Sequence, residues 1–330
     1  MEVGDDWVPC FPGFPNISCW NPPSPWLETL FINIALYPIS VLTAVLNLLI
    51  IISISHFRQL HTPTNILLLS LAVSDFLVGL LVMPADTLER THCWLFGDFF
   101  CCLYMFVSNI IFSASVVNMV LISVDRYVAI CDPLHYTTRI TVNRVKFCVC
   151  LLWFYSVAHN SSFFNLHLIQ QEEISIYCYG KCESFTDDAG SYLKFLLNLI
   201  VPVTAIIVLY TRVFVVAVSQ ARAMRSHITA VTKQISVTKR AKKSELKAAR
   251  TLGVLVVVFL TCFTPSYFAS LGGYESMSHS TSFFIMYLYS FNSCLNPLIY
   301  ALFYPWFRKT VRLIVTLQIL QPGSCEANIL

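Results

Sequence analysis

Asn296-Pro297-Leu298-Ile299-Tyr300 sits inside the last of seven long apolar runs, and Asp125-Arg126-Tyr127 closes the third. A proline inside a membrane-length helix removes a backbone hydrogen bond, and charged side chains there are costly to desolvate. Lipid-embedded sequences retain such residues chiefly where they act. Two devices of this kind, at the same end of the third and seventh of seven spans, predict an all-α membrane protein. The expected architecture is a seven-transmembrane helix bundle with a short amphipathic cytoplasmic helix.

Composition agrees with that reading. The 330-residue chain is 56% hydrophobic and only 12% charged, against about 25% charge in an ordinary soluble domain. A helix needs about 20 apolar residues to cross a bilayer. Seven segments qualify: Leu27–His56, Asn65–Leu88, Asp98–Cys131, Arg144–Leu166, Gly190–Val216, Glu245–Leu271 and Ser282–Tyr304. An eighth, Pro305–Leu320, interleaves Trp306, Phe307, Val311, Leu313, Ile314 and Leu317 with Arg308, Lys309 and Arg312, the pattern of a helix lying on the inner membrane surface. Three parts follow: an extracellular segment 1–26, a bundle 27–304, and an amphipathic helix with cytoplasmic tail 305–330. Met1–Trp26 lacks a basic start followed by an apolar core, so the first span is expected to serve as the insertion signal.

The loop charges set the orientation. Ser219–Ser244 carries Arg222, Arg225, Lys233, Lys239, Arg240, Lys242 and Lys243, whereas no Lys or Arg precedes Arg58. The loop Asn165–Ala189 is acidic. The positive-inside rule then puts the N-terminus outside the cell and the C-terminus inside, in a multi-pass plasma-membrane protein. Asn16-Ile17-Ser18 is a glycosylation acceptor on that outer side. Nothing in the charge pattern calls for a nucleic-acid partner; the expected surroundings are the lipid bilayer.

The polar residues inside the spans carry the expected chemistry. Arg126 and Glu245 stand at the inner ends of the third and sixth spans. An Arg–carboxylate pair between them would hold the bundle closed, and breaking it would let the sixth helix swing outward. Asp125 and Tyr127 flank Arg126, and Tyr210 and Tyr300 lie near the inner ends of spans five and seven. Asp75, Asn47, Asn292 and Asn296 are expected to form a mid-membrane polar core able to hold a sodium ion, or simply a structural hydrogen-bond cluster. Pro202, Pro265 and Pro297 mark bends. Thirteen cysteines are present, most inside apolar runs. Among the outer ones, Cys101 at the start of span three and Cys182 in the long loop are a candidate bridge, with Cys102 as a competitor. Cys178 is a candidate partner for Cys10 or Cys19.

With these residues in view, the chain resembles a rhodopsin-like G-protein-coupled receptor along its whole length. Matching residues are Asn47, Asp75, Cys101, Asp125-Arg126-Tyr127, Trp153, Cys182, Pro202, Tyr210, Cys262-Phe263-Thr264-Pro265 and Asn296-Pro297-Leu298-Ile299-Tyr300. The longer run from Asn292 to Phe307 is similar to the seventh-span fingerprint of trace amine-associated receptors, with Trp94-Leu95-Phe96-Gly97-Asp98 and Asp132-Pro133-Leu134-His135-Tyr136 in support. The resemblance implies an olfactory chemoreceptor that binds a small molecule and activates a stimulatory heterotrimeric G protein, raising cyclic AMP. It implies no enzyme activity.

The outer half departs from that family. The third-span position where these receptors usually hold an amine with Asp is Ser108. Tyr287 stands for a Trp, Ser290 for a Tyr and Phe263 for the sixth-span Trp. Two charged residues are candidate replacements: Asp86, two residues after Pro84, for a cation, and Lys194, two turns before Pro202, for a carboxylate or sulfate. Phe112, Tyr267, Phe268, Tyr287 and Phe291 are candidate apolar walls. The competing functions are a receptor for an anionic ligand through Lys194, a neuromodulatory amine receptor, a transporter and an intramembrane enzyme. The chain shows no inverted repeat and no His-Glu-x-x-His, which counts against the last two.

Overall fold

The computed structural model describes residues 8–14, 17–21, 26–171, 180–182, 193, 196–228, 253–266, 269 and 279–329. The long helices are Trp26–His56, Pro63–Leu77 continued as Met83–Thr91, Gly97–Cys131, Val142–Gln171, Val201–Ile228 and His279–Phe303, with an apolar helical piece Gly253–Ser266. They correspond in order to the seven expected spans, and the architecture is the all-α seven-helix membrane bundle. Exposed apolar side chains such as Ile34, Val41, Phe154, Val208 and Phe214 line its flanks, as expected where lipid is the solvent.

Local chemistry explains several boundaries. Thr62 caps the second span, its hydroxyl accepting from the Asn65 amide at 3.3 Å, with Pro63 as first helical residue. The helix widens into a π turn at Val78–Val82 and resumes at Met83–Thr91. A second π turn, Leu196–Ile200, opens the fifth span. Each turn ends two residues before a proline, Pro84 and Pro202. A proline ring clashes with the carbonyl four residues back in a regular helix, and a widened turn relieves that clash. Gly79 in the first of these turns lets the first span approach closely. The Ser40 hydroxyl donates to the Gly79 carbonyl at 2.6 Å.

Two features differ from expectation. The segment before the first span carries a short antiparallel pairing of Val8–Pro9 with Trp20–Asn21. The final helix ends at Val315 rather than near Leu320. Trp306, Phe307 and Thr310 are its buried side, while Arg308 donates to the last carbonyls of the seventh span, Ala301 at 2.7 Å and Leu302 at 3.0 Å. Beyond it the chain turns at Leu317 (φ 58°) and Gly323 (φ 81°). It then folds back under the loop joining spans one and two. His56 Nε2 lies 2.9 Å from the Ser324 hydroxyl, and the Ile329 amide donates to Gln59 Oε1 at 3.2 Å. Ile329 itself is buried in the main apolar core.

Candidate functional site

At one end of the bundle the third span finishes in a closed polar network. The Asp125 carboxylate is 2% exposed. It accepts from Arg126 Nε at 3.0 Å, from the Thr64 hydroxyl at 2.9 Å and from the Tyr136 hydroxyl at 2.8 Å. Arg126 Nη2 also donates to the Thr64 hydroxyl. The second span, the third span and the short helix Pro133–Arg139 are thus tied at one carboxylate. Burial and the Asp125 charge push the Tyr136 phenol above its ordinary pKa. On the same short helix, the hydrogen bond from His135, with the charges of His135 and Arg139, holds the Asp132 carboxyl below its usual range.

The expected partner Glu245 lies outside the described residues; among the described ones Arg126 bonds to Asp125 and Thr64. Tyr127 is partly exposed. The Tyr210 and Tyr300 hydroxyls are buried with no hydrogen-bond partner among the described residues. Thr64 and Tyr136 were not expected. Tyr136 belongs to the quoted Asp132–Tyr136 string, whereas nothing local marks Thr64.

Midway along the bundle, Asp75 is fully buried. Its two oxygens accept from the Ser293 hydroxyl and the Asn296 amide, both at 2.7 Å. Asn47 joins the cluster by donating to the Ser293 carbonyl at 3.0 Å. Of the predicted four, Asp75, Asn47 and Asn296 come together, with Ser293 added. Asn292 is also buried, and the Oδ1 atoms of Asn47, Asn292 and Asn296 have no donor among the described residues.

At the opposite end, the second, third and seventh spans meet in layers. In the uppermost, the Tyr104 hydroxyl donates to Asp86, which is buried, and the Thr87 and Tyr287 hydroxyls lie 2.8 Å apart. Ser108, four residues after Tyr104, and Ser290, three after Tyr287, are both buried, their hydroxyls without partners among the described residues. Phe112 packs on Tyr289, the residue before Ser290, with ring centroids 4.5 Å apart, and Tyr289 on Phe263 at 4.2 Å. Met83, Val82, Val78 and Ile111 form the apolar cluster alongside. Asp86, Thr87, Tyr104, Ser108, Phe112, Tyr287 and Ser290 therefore share one region. Lys194, Tyr267 and Phe268 lie outside the described residues.

The cysteines tie that end shut. Cys101–Cys182 forms as expected. Cys10, however, bonds to Cys93, which excludes its pairing with Cys178. The reason lies in the neighbouring loop. Gly180, at φ 111°, passes so close to Cys10 that a Cβ there would lie 2.5 Å from the Cys10 Cβ. The Gly180 carbonyl accepts from the Trp94 amide at 2.9 Å, which brings Cys93 into reach. Cys19 is also disulfide-bonded, and Cys102 is free. Cys178 and Asn16 lie outside the described residues.

Comparison with known proteins agrees with this geometry. Residues 46–300 match the 7 transmembrane receptor (rhodopsin family). The chain is 38% identical to trace amine-associated receptor 13c of Danio rerio over 97% of its length and 95% of that protein. It is 38% identical to trace amine-associated receptor 9 of Homo sapiens (88% and 86% covered) and 37% identical to trace amine-associated receptor 7e of Mus musculus (88% and 83%). The chain belongs to the trace amine-associated receptors of the rhodopsin family. It is a G-protein-coupled receptor of the plasma membrane, not an enzyme, and its partners are a G protein and a small-molecule ligand.

Proposed function

We propose that this receptor is a chemosensory one that activates a stimulatory G protein and so raises cyclic AMP. Its disulfide-bonded end faces outward and receives the small molecule; its Arg126 end faces the cytoplasm. The observation that carries the reading is the carboxylate knot of Asp125, Arg126, Thr64 and Tyr136. It holds the Arg126 guanidinium against the second span in one of two arrangements, and its release frees a cationic side chain for a partner. Ligand-driven movement of the third and seventh spans is the trigger. Trace amine-associated receptors are the relatives, and the loop charge pattern supports the orientation.

The polar core is proposed to hold sodium at Asp75, with Asn292 and Asn296 oxygens beside it, when the receptor rests. Sodium would then oppose agonist binding, and Asp75→Asn would abolish that effect. The test of the signalling reading is a cyclic AMP reporter in cells expressing the chain, with a calcium reporter in parallel. Agonist responses in the first, lost in Arg126→Ala at normal surface number, are the expected result. Agonist responses in the calcium channel alone would overturn the stimulatory assignment.

A further inference from the structure

We infer that segment 316–329 is a built-in clamp on the resting receptor: it grips loop 57–62 and through it keeps Thr64 against Arg126. The inference rests on the reading that the departure of Arg126 from Thr64 is the switch. The segment grows from a fixed root. Thr310 of the final helix is fully buried, and its hydroxyl lies 2.8 Å from that of Ser53 on the first span. Beyond that helix the backbone reverses at Leu317 and Gly323, both in the left-handed region. Two short turns, Gln318–Leu320 and Ser324–Glu326, shape the stretch between and after them. The Ser324 hydroxyl donates to the Ile319 carbonyl at 2.6 Å. A segment already shaped by its own turns loses less freedom on docking than an open chain does.

The loop meets the segment through backbone and core together. Gln59 bonds its main chain twice: Nε2 donates to the Glu326 carbonyl at 3.4 Å, and Oε1 accepts from the Ile329 amide at 3.2 Å. His56 Nε2 lies 2.9 Å from the Ser324 hydroxyl. Ile329 is 1% exposed, in the apolar core that also holds Phe57 and Leu60 of the loop, both fully buried. The Arg58–Glu326 ion pair, 3.7 Å long and largely exposed, adds little. The loop in turn is bound to the start of the second span. The Leu60 carbonyl accepts from the Thr62 amide at 2.8 Å and from Asn65 Nδ2 at 2.9 Å. Thr64 lies between those two donors in sequence. It stands in the first turn of its helix, where the amides lack intrahelical partners and cap and loop set the position. Its hydroxyl is the one that accepts from Arg126 Nη2. Restraint therefore runs from Ile329 and Gln59, through Leu60, to Thr64 and Arg126. Freeing the segment loosens that first turn and shifts the balance of held and released Arg126.

The test uses the full-length receptor and four variants: Ile329→Asp, Gln59→Ala, Thr64→Val, and Ile329→Asp combined with Thr64→Val. Hydrogen exchange on the purified protein reads segment 316–329 and loop 57–62. Basal G-protein output per surface receptor is read in cells with cyclic AMP and calcium reporters side by side. A carboxylate does not stay in an apolar site, so Ile329→Asp should quicken exchange in both stretches. It should raise basal output about 2- to 10-fold, with the Thr64→Val rise as the ceiling. Gln59→Ala should act in the same direction to a smaller degree, and it leaves the core intact should Ile329→Asp fail to reach the surface. The combined variant should give no more output than Thr64→Val alone, since both changes act on one bond. Faster exchange in the segment with wild-type basal output, while Thr64→Val raises it, overturns the clamp and leaves the switch reading standing. So does an additive rise in the combined variant. Unchanged exchange in both Ile329→Asp and Gln59→Ala also overturns it, because the named anchors would not be what holds the segment. Flat output in every variant, Thr64→Val included, overturns the switch reading and the clamp with it. A rise read by calcium alone supports the clamp and removes the stimulatory assignment instead.

Discussion

Thr64→Val separates the hold on Arg126 from ordinary stability. The Thr64 hydroxyl plays two parts: it accepts from Arg126 Nη2 and donates to Asp125 Oδ2 at 2.9 Å. Only the first bond is specific to the held arrangement, because Asp125 keeps its place when the guanidinium leaves. A hydrogen bond to a charged group contributes about 1.5–3 kcal/mol. Arg126 is 12% exposed, so water replaces part of the loss, and the low end applies. A bias of about 1.4 kcal/mol is tenfold in the ratio of released to held receptor. Valine has nearly the same shape, so packing changes little. Basal G-protein output per surface receptor should therefore rise about tenfold in Thr64→Val. Tyr136→Phe is the contrast. Among the described residues its hydroxyl bonds only the carboxylate and Thr64, and the carboxylate is present in both arrangements, so its loss should lower stability without raising basal output. Equal basal output in Thr64→Val and wild type, at equal surface number, would refute the reasoning. So would an equal rise in Tyr136→Phe.

Three further outcomes follow from the packing. Gly79→Ala places a Cβ 2.7 Å from the Ala44 backbone nitrogen and 2.9 Å from the Thr43 Cβ. Neither can move cheaply, so the melting temperature should fall by the equivalent of about 1–3 kcal/mol; an unchanged value would mean that the first span is not packed there. Cys10→Ser should leave Cys93 open to a thiol-specific label in the unreduced receptor while Cys101 and Cys182 stay protected; labelling of Cys178 in place of Cys93 would disprove the pairing. Ile329→Ala removes the buried anchor of the folded-back tail. Hydrogen exchange should quicken across residues 318–329 and stay unchanged in the spans, and uniform protection of the tail in the variant would show that Gln59 and His56 suffice to hold it.

What could be read in the chain and what could not divide along physical lines. Spans show because lipid demands about twenty apolar residues in a row, whatever the neighbours. Asp75, Asn296 and Arg126 show because polar groups in such runs are conspicuous by cost alone. Thr64, by contrast, is a small hydroxyl residue just inside a helix start, where threonine is ordinary. Its importance arises from Arg126, 62 residues away in sequence. Cys93 is one of several outer cysteines, and spacing does not rank its pairing with Cys10 over the alternatives. That choice was made by Gly180, which lets a loop pass against Cys10. The π turns occupy an intermediate position. Pro84 and Pro202 announce a disturbed helix, but either a kink or a widened turn would relieve the same clash.

The seventh span makes the outer site and the inner switch parts of one object. Ser290 is buried toward its outer end. Three residues on, Ser293 donates to Asp75; three more, Asn296 does the same; four more, Tyr300 is fully buried with its hydroxyl unpaired. These are steps of one helical turn along neighbouring faces, and Pro297 interrupts the backbone ladder among them. A rotation of this helix driven from its outer end must therefore strain two bonds to a buried carboxylate on the second span. That same span carries Thr64 at its other end, against Arg126. Buried hydrogen bonds of this kind have discrete rather than graded arrangements, since a half-made bond to a buried charge is costly. The helix thus has reason to occupy one of two positions, which is the physical requirement for a ligand at one end to be felt at the other.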